Sequence, residues 1–175
     1  MPSTALFISP HLDDVAFSCG GTFCTLAQAG WQCVLLTVFT RSVPNPTGFA
    51  LACQTDKGLG PEVDYMALRR HEDAEAARHL GAATVRYLDL PEAPHRGYHS
   101  APALFADLLP TDNILPKLTT QLAAELARWQ PAVLFAPQGL GGHVDHRRVM
   151  QAVLAAAPAV PAVWYRDTPY VLRDP

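Results

Sequence analysis

Short apolar runs alternate with longer amphipathic stretches along the chain. Five runs are rich in apolar, β-branched or aromatic residues and lack a helical period, so they predict buried strands. They cover residues 5–9, 34–40, 85–90, 132–136 and 162–165. Four intervening stretches have helical spacing or helix-ending signals. They cover residues 14–28, 65–80, about 111–129 and about 143–157. The chain is therefore predicted to alternate strands with helices.

This alternation predicts a parallel sheet with right-handed crossovers and helices on both faces. We expect a single-domain, Rossmann-like α/β sandwich over residues 1–175, with strand order 3-2-1-4-5. In that order the first and fourth strands are neighbours, and ligands bind in the crevice at their carboxyl ends. Candidate chemistry should therefore lie directly after these two strands.

Two stretches rich in Pro, Gly and polar residues, 41–61 and 91–110, are predicted loops. Unstructured loops of that length are uncommon unless they have a function. The second loop carries four polar or aromatic side chains: His95, Arg96, Tyr98 and His99. These side chains either line a substrate pocket or form an exposed polar loop, and the sequence leaves both interpretations open.

Composition excludes several classes of protein. Of 175 residues, 49% are hydrophobic and 17% charged, which is typical of a globular chain. A formal net charge of −3 gives no basic surface for nucleic acid, and no apolar run is long enough for a membrane span. The N-terminus lacks the basic region of a signal peptide, and the four cysteines lack CxxC spacing. We therefore expect reduced thiols and a cytoplasmic protein.

Clusters of His and Asp follow the first and fourth predicted strands. The first cluster is Pro10-His11-Leu12-Asp13-Asp14, and the second is His143-Val144-Asp145-His146. They lie far apart in sequence, but the predicted topology brings both to the same crevice. Alone, the first would be compatible with a helix cap and the second with surface histidines. Their common location favours one functional site.

The residue types point to a catalytic metal. A catalytic zinc binds three protein ligands, commonly His and Asp or Glu, and keeps one position open for water. The bound cation lowers the pKa of that water to about 7. A second carboxylate can then accept its proton, and a His can stabilise the tetrahedral intermediate. The two clusters contain enough groups for all these roles.

At these residues the sequence resembles the PIG-L/LmbE-like family of zinc-dependent N-acetylglucosaminyl deacetylases. Both family signatures, Pro-His-x-Asp-Asp and His-x-Asp-His, are intact at residues 10–14 and 143–146. A third element, with Arg69 and Glu72 on a helix that ends in Leu80-Gly81, resembles the family's Arg-x-x-Glu helix. The resemblance implies a hydrolase that removes the acetyl group from an N-acetylglucosamine conjugate.

The resemblance also implies a role for each site residue. By that likeness His11, Asp14 and His146 bind zinc, with Fe²⁺ as the alternative ion. Asp13 would be the general base, and His143 would assist the oxyanion and the leaving amine while Asp145 orients it. Arg69 would reach the substrate. Arg41 is a candidate substrate contact only because it follows the second strand.

Several points stay open at this stage. Leu12 stands where family members often have Pro, and many members continue beyond the segment that corresponds to residues 165–170. The family acts on N-acetylglucosamine joined to inositol, to malate, or within antibiotics and lipids, and the sequence does not choose among them. Alternatives are an amidase for another N-acyl substrate and a metal-dependent sugar-binding module. The oligomeric state is also open, with a homo-oligomer as one outcome.

A nucleotide-binding Rossmann domain is excluded by the turn after the first strand. That function needs a Gly-x-Gly-x-x-Gly turn to cradle pyrophosphate. Here the turn is Pro10-His11-Leu12-Asp13-Asp14, whose carboxylates would repel phosphate.

Overall fold

A computed structural model describes residues 2–157 and 159–172. Its regular elements alternate between strands and helices. In chain order they are β1 (Thr4–Ser9), α1 (Asp14–Gln28), β2 (Gln32–Phe39), α2 (Gly48–Thr55), α3 (Tyr65–Leu80), β3 (Thr84–Leu90), α4 (Ile114–Trp129), β4 (Val133–Pro137), α5 (Val144–Ala156) and β5 (Ala162–Tyr165). Short 3₁₀ turns cover Ala93–Arg96, Pro102–Phe105 and Tyr170–Leu172.

The five strands form one sheet in the order β3-β2-β1-β4-β5, and all four neighbouring pairs are parallel. This confirms the predicted α/β fold and strand order. Because β1 lies between β2 and β4, the carboxyl ends of β1 and β4 are side by side. The two motifs after these strands therefore meet at one edge of the sheet.

Alternating residues of β1 explain why the sheet has a core on each face. Leu6 and Ile8 belong to a cluster with residues of α4 and α5, whereas Ala5 and Phe7 pack on the opposite face against α1. Successive side chains of a strand point to opposite faces, so a strand covered on both sides has an unbroken apolar run. All four of these side chains are fully buried.

Two local features differ from the sequence-based expectations. The predicted loop 41–61 contains helix α2, a short helix that begins at Gly48 just after Pro44 and Pro46, so helical signals are weak there. The first cluster alone would be compatible with a helix cap, but the side chain of Asp13, the N-cap residue of α1, makes no capping hydrogen bond. The hydroxyl of Ser9 instead accepts the Val15 N–H at 3.2 Å.

None of the helices in the described part of the chain is long and apolar enough to cross a bilayer.

Helices α1 and α3 pack closely on one side of the sheet. A Cβ at Gly20 would lie 3.4 Å from Leu80 Cδ2, which shows how near the two helices are at this point.

Candidate active site

A cleft of about 540 Å³ opens at the carboxyl ends of β1 and β4. Both motifs contribute to its wall. The lining residues that matter for its chemistry are His11, Asp13, Tyr65, Arg69, Glu92, His143, Asp145 and Tyr170. Asp14 and His146 lie beneath this surface and are almost fully buried.

His11, Asp14 and His146 converge on a common point. Their ligand atoms all lie within 4.8 Å of one another. Asp14 Oδ2 is 3.2 Å from His11 Nδ1 and 3.2 Å from His146 Nε2. The same oxygen accepts the backbone N–H of His11 at 2.7 Å, which holds the carboxylate in place.

A second carboxylate holds each of the two imidazoles from its far side. His11 Nε2 is 3.0 Å from Asp145 Oδ2, and His146 Nδ1 is 2.5 Å from Asp167 Oδ1. Both carboxylates are fully buried. Donation of those ring protons leaves His11 Nδ1 and His146 Nε2 facing Asp14 with free lone pairs, the arrangement of metal-binding histidines.

The charge balance of this cluster favours positive charge between the rings. Burial lowers the pKa of His11, but Asp14 and Asp145 outweigh burial and hold that pKa well above its usual range. The pKa of His146 is raised in the same way: burial lowers it and Asp14 and Asp167 prevail. Burial raises the pKa of Asp14, but His146 and His11 bring it well below its usual range. A cation could therefore replace the protons on these rings.

A divalent metal ion fits this donor set. Among the described residues, the buried His146 Nε2 makes no hydrogen bond, although Asp14 Oδ2 lies 3.2 Å away. A buried nitrogen in that state is costly unless a ligand satisfies it. Two imidazole nitrogens and one carboxylate are the ligands of a catalytic zinc-type site with an open position. The residues that the family likeness implied as metal ligands are thus the ones that the fold brings together.

Asp13 differs from its neighbour Asp14 in exposure and contacts. Its side chain is 47% exposed and faces the cleft, and this side chain makes no hydrogen bond that caps α1. Arg69 on α3 lies 3.5 Å from Asp13 and 2.8 Å from Glu92, and its guanidinium packs over the Tyr65 ring. Asp13 is therefore placed to take a proton from a group in the cleft, with Arg69 beside it.

His143 is a neutral hydrogen-bonding group in this cluster. Its Nδ1 accepts the backbone N–H of Asp145 at 3.2 Å, so the ring proton belongs on Nε2. Burial, with a contribution from His11, lowers the pKa of His143 to about 3. Here the structure differs from the expected pairing, because the Asp145 side chain bonds His11 and only its backbone orients His143.

The cleft is covered on one side by aromatic side chains that the sequence analysis did not single out. The Tyr170 ring lies 4.7 Å from that of His146 and 5.2 Å from that of His143, between ring centroids. Phe105 packs edge-on against His143 at 5.2 Å. Tyr170 follows β5, the strand beside β4, and so also lies near the carboxyl edge of the sheet.

Arg96 and Asp112 form a buried ionic network behind the site, and the sequence did not reveal it. The Arg96 guanidinium bonds Asp145 at 2.6 Å and Asp112 at 3.1 Å. Asp112 also accepts bonds from Tyr98 and Arg148. Neither alternative left open for the 91–110 loop applies to Arg96 and Tyr98, because both side chains are buried in this network. His95 does line a cavity next to the cleft.

Arg41 lies apart from the cleft. Its guanidinium pairs with Asp89 at 3.3 Å, and both side chains are substantially exposed. Asp89 lies on β3, an edge strand separated from β1 by β2, so this pair is displaced sideways from the residues that follow β1 and β4. The structure does not bring Arg41 together with the other candidate residues.

A second cavity of about 290 Å³ adjoins the cleft. The two share a wall formed by Cys53, Tyr65, Glu92 and Pro94. Residues of the 41–64 segment close the far side, among them Pro44, Pro46 and Val63. Because helix α2 and its flanking loops build this cavity, the long segment after β2 contributes to the site region.

The chain matches known proteins over most of its length. The sequence model of the PIG-L family, described as GlcNAc-PI de-N-acetylase, matches residues 6–157. A 2'-N-acetylparomamine deacetylase of Niallia circulans is 34% identical, over 94% of this chain and 66% of that protein. A protein with the same name from Streptomyces fradiae is 34% identical, over 94% of this chain and 57% of that protein. The chain thus spans about two thirds or less of these relatives.

A solved structure has the same fold over nearly all of this chain. The zinc-inhibited form of the teicoplanin deacetylase Orf2 superimposes with a TM-score of 0.86 at 26% identity, covering 97% of this chain and 70% of that one. The fold, the paired motifs and the extent of the family match agree with one another. The chain belongs to the PIG-L family.

Proposed function

We propose that this protein is a zinc-dependent deacetylase that hydrolyses the N-acetyl group of an amino-sugar conjugate. The observation that carries the proposal is the buried Nε2 of His146, which makes no hydrogen bond among the described residues and lies beside Asp14 and His11. Asp13, a carboxylate that faces the cleft, is next to this cluster. Similar proteins are named as deacetylases of 2'-N-acetylparomamine and of teicoplanin, which supports deacetylation as the reaction. The proposed setting is the cytoplasm, where four unpaired thiols would stay reduced.

Each residue of the site has a separate role in the proposed hydrolysis. When bound at His11, Asp14 and His146, the ion would lower the pKa of a water molecule and polarise the acetyl carbonyl. Asp13 accepts a proton from the attacking water and returns it to the leaving nitrogen, so that the C–N bond breaks to give acetate and a free amine. Neutral His143 donates its Nε2–H to the oxyanion of the tetrahedral intermediate.

The two adjoining cavities favour a conjugate over a simple amide. The acetylated ring would occupy the cleft, next to Asp13 and Arg69. The remainder of the molecule would extend into the cavity that Pro44, Pro46 and Val63 line. We expect two-ring N-acetylglucosaminides to be better substrates than N-acetylglucosamine itself, because only the former reach both cavities.

Neutralising each of the two adjacent carboxylates tests the proposal. Asp13→Asn keeps the side-chain shape but removes the base, so zinc content should stay near one per chain while turnover falls by roughly 10²–10⁴-fold. Asp14→Asn should lose the metal, since an amide oxygen is a poor ligand for zinc. Zinc per chain and the initial rate of amine release from a panel of N-acetylglucosamine conjugates are measured, with at most one equivalent of zinc.

Asp107→Asn is the matched control, because it removes an exposed carboxylate that lies outside the cleft lining. It should retain both zinc and activity. Full activity in Asp13→Asn would contradict the role of Asp13 as the base. No amine release from zinc-loaded wild-type protein on any conjugate of the panel would favour a sugar-binding module. Equal zinc loss in the Asp13 and Asp14 variants would contradict the proposed ligand set.

A further inference from the structure

The Arg96 guanidinium is a buried cation whose hydrogen bonds are all made inside the protein. It lies at the end of the 3₁₀ turn Ala93–Arg96, and its side chain is 7% exposed. Nη1 donates to the Pro91 carbonyl at 2.7 Å, while Nε and Nη2 bind the two oxygens of Asp112 at 3.1 and 3.3 Å. The guanidinium also lies 4.8 Å from the Phe39 ring centroid. Arg96 is therefore held in one orientation.

From this position Arg96 reaches the carboxylate behind a proposed metal ligand. Its Nη2 donates to Asp145 Oδ1 at 2.6 Å. The other oxygen of Asp145 is 3.0 Å from His11 Nε2 and accepts the Ala93 N–H at 3.1 Å. Asp145 is fully buried, so without Arg96 one of its oxygens would lose its charged partner in a region that water does not reach.

We propose that Arg96 is a positioning residue for the metal site: acting through Asp145, it fixes the His11 ring in the orientation that binds the ion. The inference rests on the proposed metal site, but it concerns metal affinity rather than turnover. Partners behind a metal ligand commonly change affinity by about 10–100-fold when they are removed. Loss of Arg96 should therefore weaken zinc binding beyond any effect on folding.

Arg148 on α5 provides a matched control within the same network. Its Nε and Nη2 bind Asp112 at 3.3 and 2.8 Å, and its side chain is 11% exposed, close to the value for Arg96. Its hydrogen bonds within the described chain go to Asp112 and Gln151, and Asp145 receives none of them. Both arginines thus bind the buried Asp112, but of the two only Arg96 also binds Asp145, the carboxylate that contacts His11.

The experiment compares zinc affinity and stability in Arg96→Met, Arg96→Lys and Arg148→Met. Zinc dissociation constants are measured by competition with a chromophoric chelator, and the melting temperature is measured on metal-free protein. We expect Arg96→Met to weaken zinc binding about 10–100-fold and Arg148→Met to change it less than about threefold. Both should lower the metal-free melting temperature. Arg96→Lys should be intermediate, because one ammonium cannot reproduce the fork that spans Asp112 and Asp145.

Each outcome has a separate meaning. Wild-type protein that binds no zinc would contradict the proposed function. Tight binding in the wild type with equal affinities in the Arg96 and Arg148 variants would overturn only the positioning role. Should Arg96→Met fail to fold, Arg96→Lys decides the question, since it keeps the buried positive charge. Unchanged zinc affinity in Arg96→Lys would then contradict the proposal.

Discussion

Asp73 on α3 is a buried carboxylate whose hydrogen bonds come from neutral groups. It accepts a bond from the Thr37 hydroxyl at 3.2 Å, and its side chain is nearly inaccessible to water. Burial raises the pKa of Asp73 to about 6, although Thr37 and Tyr87 act in the opposite direction. Asp14 is about equally buried, but the two imidazoles beside it outweigh burial and lower its pKa.

The raised pKa of Asp73 predicts a pH-dependent loss of stability. Below pH 3.8 the group is protonated in both the folded and the unfolded state, so it carries no ionisation penalty. As pH rises from 3.8 to about 6, the carboxyl group ionises readily in the unfolded state but not in the folded state, so the folded state loses stability over this range. A pKa difference of that size corresponds to about 3 kcal/mol in the free energy of unfolding. Asp73→Asn should therefore be about 1–3 kcal/mol more stable than the wild type at pH 8 and nearly equal to it at pH 4.

Urea unfolding at several pH values measures this difference in the free energy of unfolding. Asp107→Asn shows the effect of removing one negative charge from an exposed position. A stability difference between Asp73→Asn and the wild type that did not change with pH would contradict the argument.

At the scale of elements, the loop between β4 and α5 and the segment after β5 form one unit. The Leu140 N–H donates to Asp167 at 3.1 Å, and Asp167 in turn holds His146. Gly141 has a φ of +77°, and a Cβ there would collide with the Tyr170 carbonyl. Glycine at 141 therefore allows the Tyr170 segment to lie against the site.

Gly141→Ala should damage the site more than Gly139→Ala does. Both positions have a φ of +77°, so each alanine incurs a similar left-handed penalty of about 1–2 kcal/mol. Only at 141 does the new methyl group meet backbone, whereas at 139 its nearest contact is Met150 Sδ at an ordinary 3.5 Å. We expect Gly141→Ala to displace Tyr170 and lower kcat/KM at least tenfold, with a smaller effect for Gly139→Ala.

Unfolding free energies and kcat/KM of both glycine variants, on one accepted conjugate, separate the two effects. Matching losses of activity at 139 and 141 would show that backbone strain alone is responsible and that the position of Tyr170 does not matter.

At the scale of the whole molecule, the proposed metal joins parts of the chain that are distant in sequence. Of the proposed ligands, His11 and Asp14 lie just after β1 at the start of α1, whereas His146 lies in α5 near the other end of the chain. An ion that binds only the folded state stabilises it by mass action, by about 4 kcal/mol when its free concentration is a thousandfold above Kd. Metal binding should therefore contribute to global stability.

Removal of the metal should lower the melting temperature by roughly 8–16 °C, since 1 kcal/mol corresponds to about 2–4 °C for a chain of this size. Calorimetry with and without a chelator measures the shift. His11→Ala is the control, because without the ligand its melting temperature should not respond to the chelator. An equal response in wild type and variant would mean that the chelator acts elsewhere.

Sequence patterns predicted the sheet and the central cluster because both depend on local signals. The apolar runs specify the strands, and the strand order places residues 10–14 beside residues 143–146. The same rule would have indicated Asp167, which follows β5 next to β4. Arg96 and Asp112 could not be found this way, because their pairing depends on how an irregular loop folds back over the sheet. Arg41 was a candidate only because it follows the second strand, and position alone did not show that its side chain pairs with Asp89.

Asp167 also has a consequence for exchanging segments between relatives. The family match ends at residue 157, but the carboxylate that orients His146 lies beyond it. A chimera joined after residue 157 would inherit the proposed metal ligands from one parent and the acceptor for His146 from the other. Such a hybrid should function only if the second parent supplies a carboxylate at that place. The part of the chain that forms the proposed metal site is therefore longer than the segment that the family model matches.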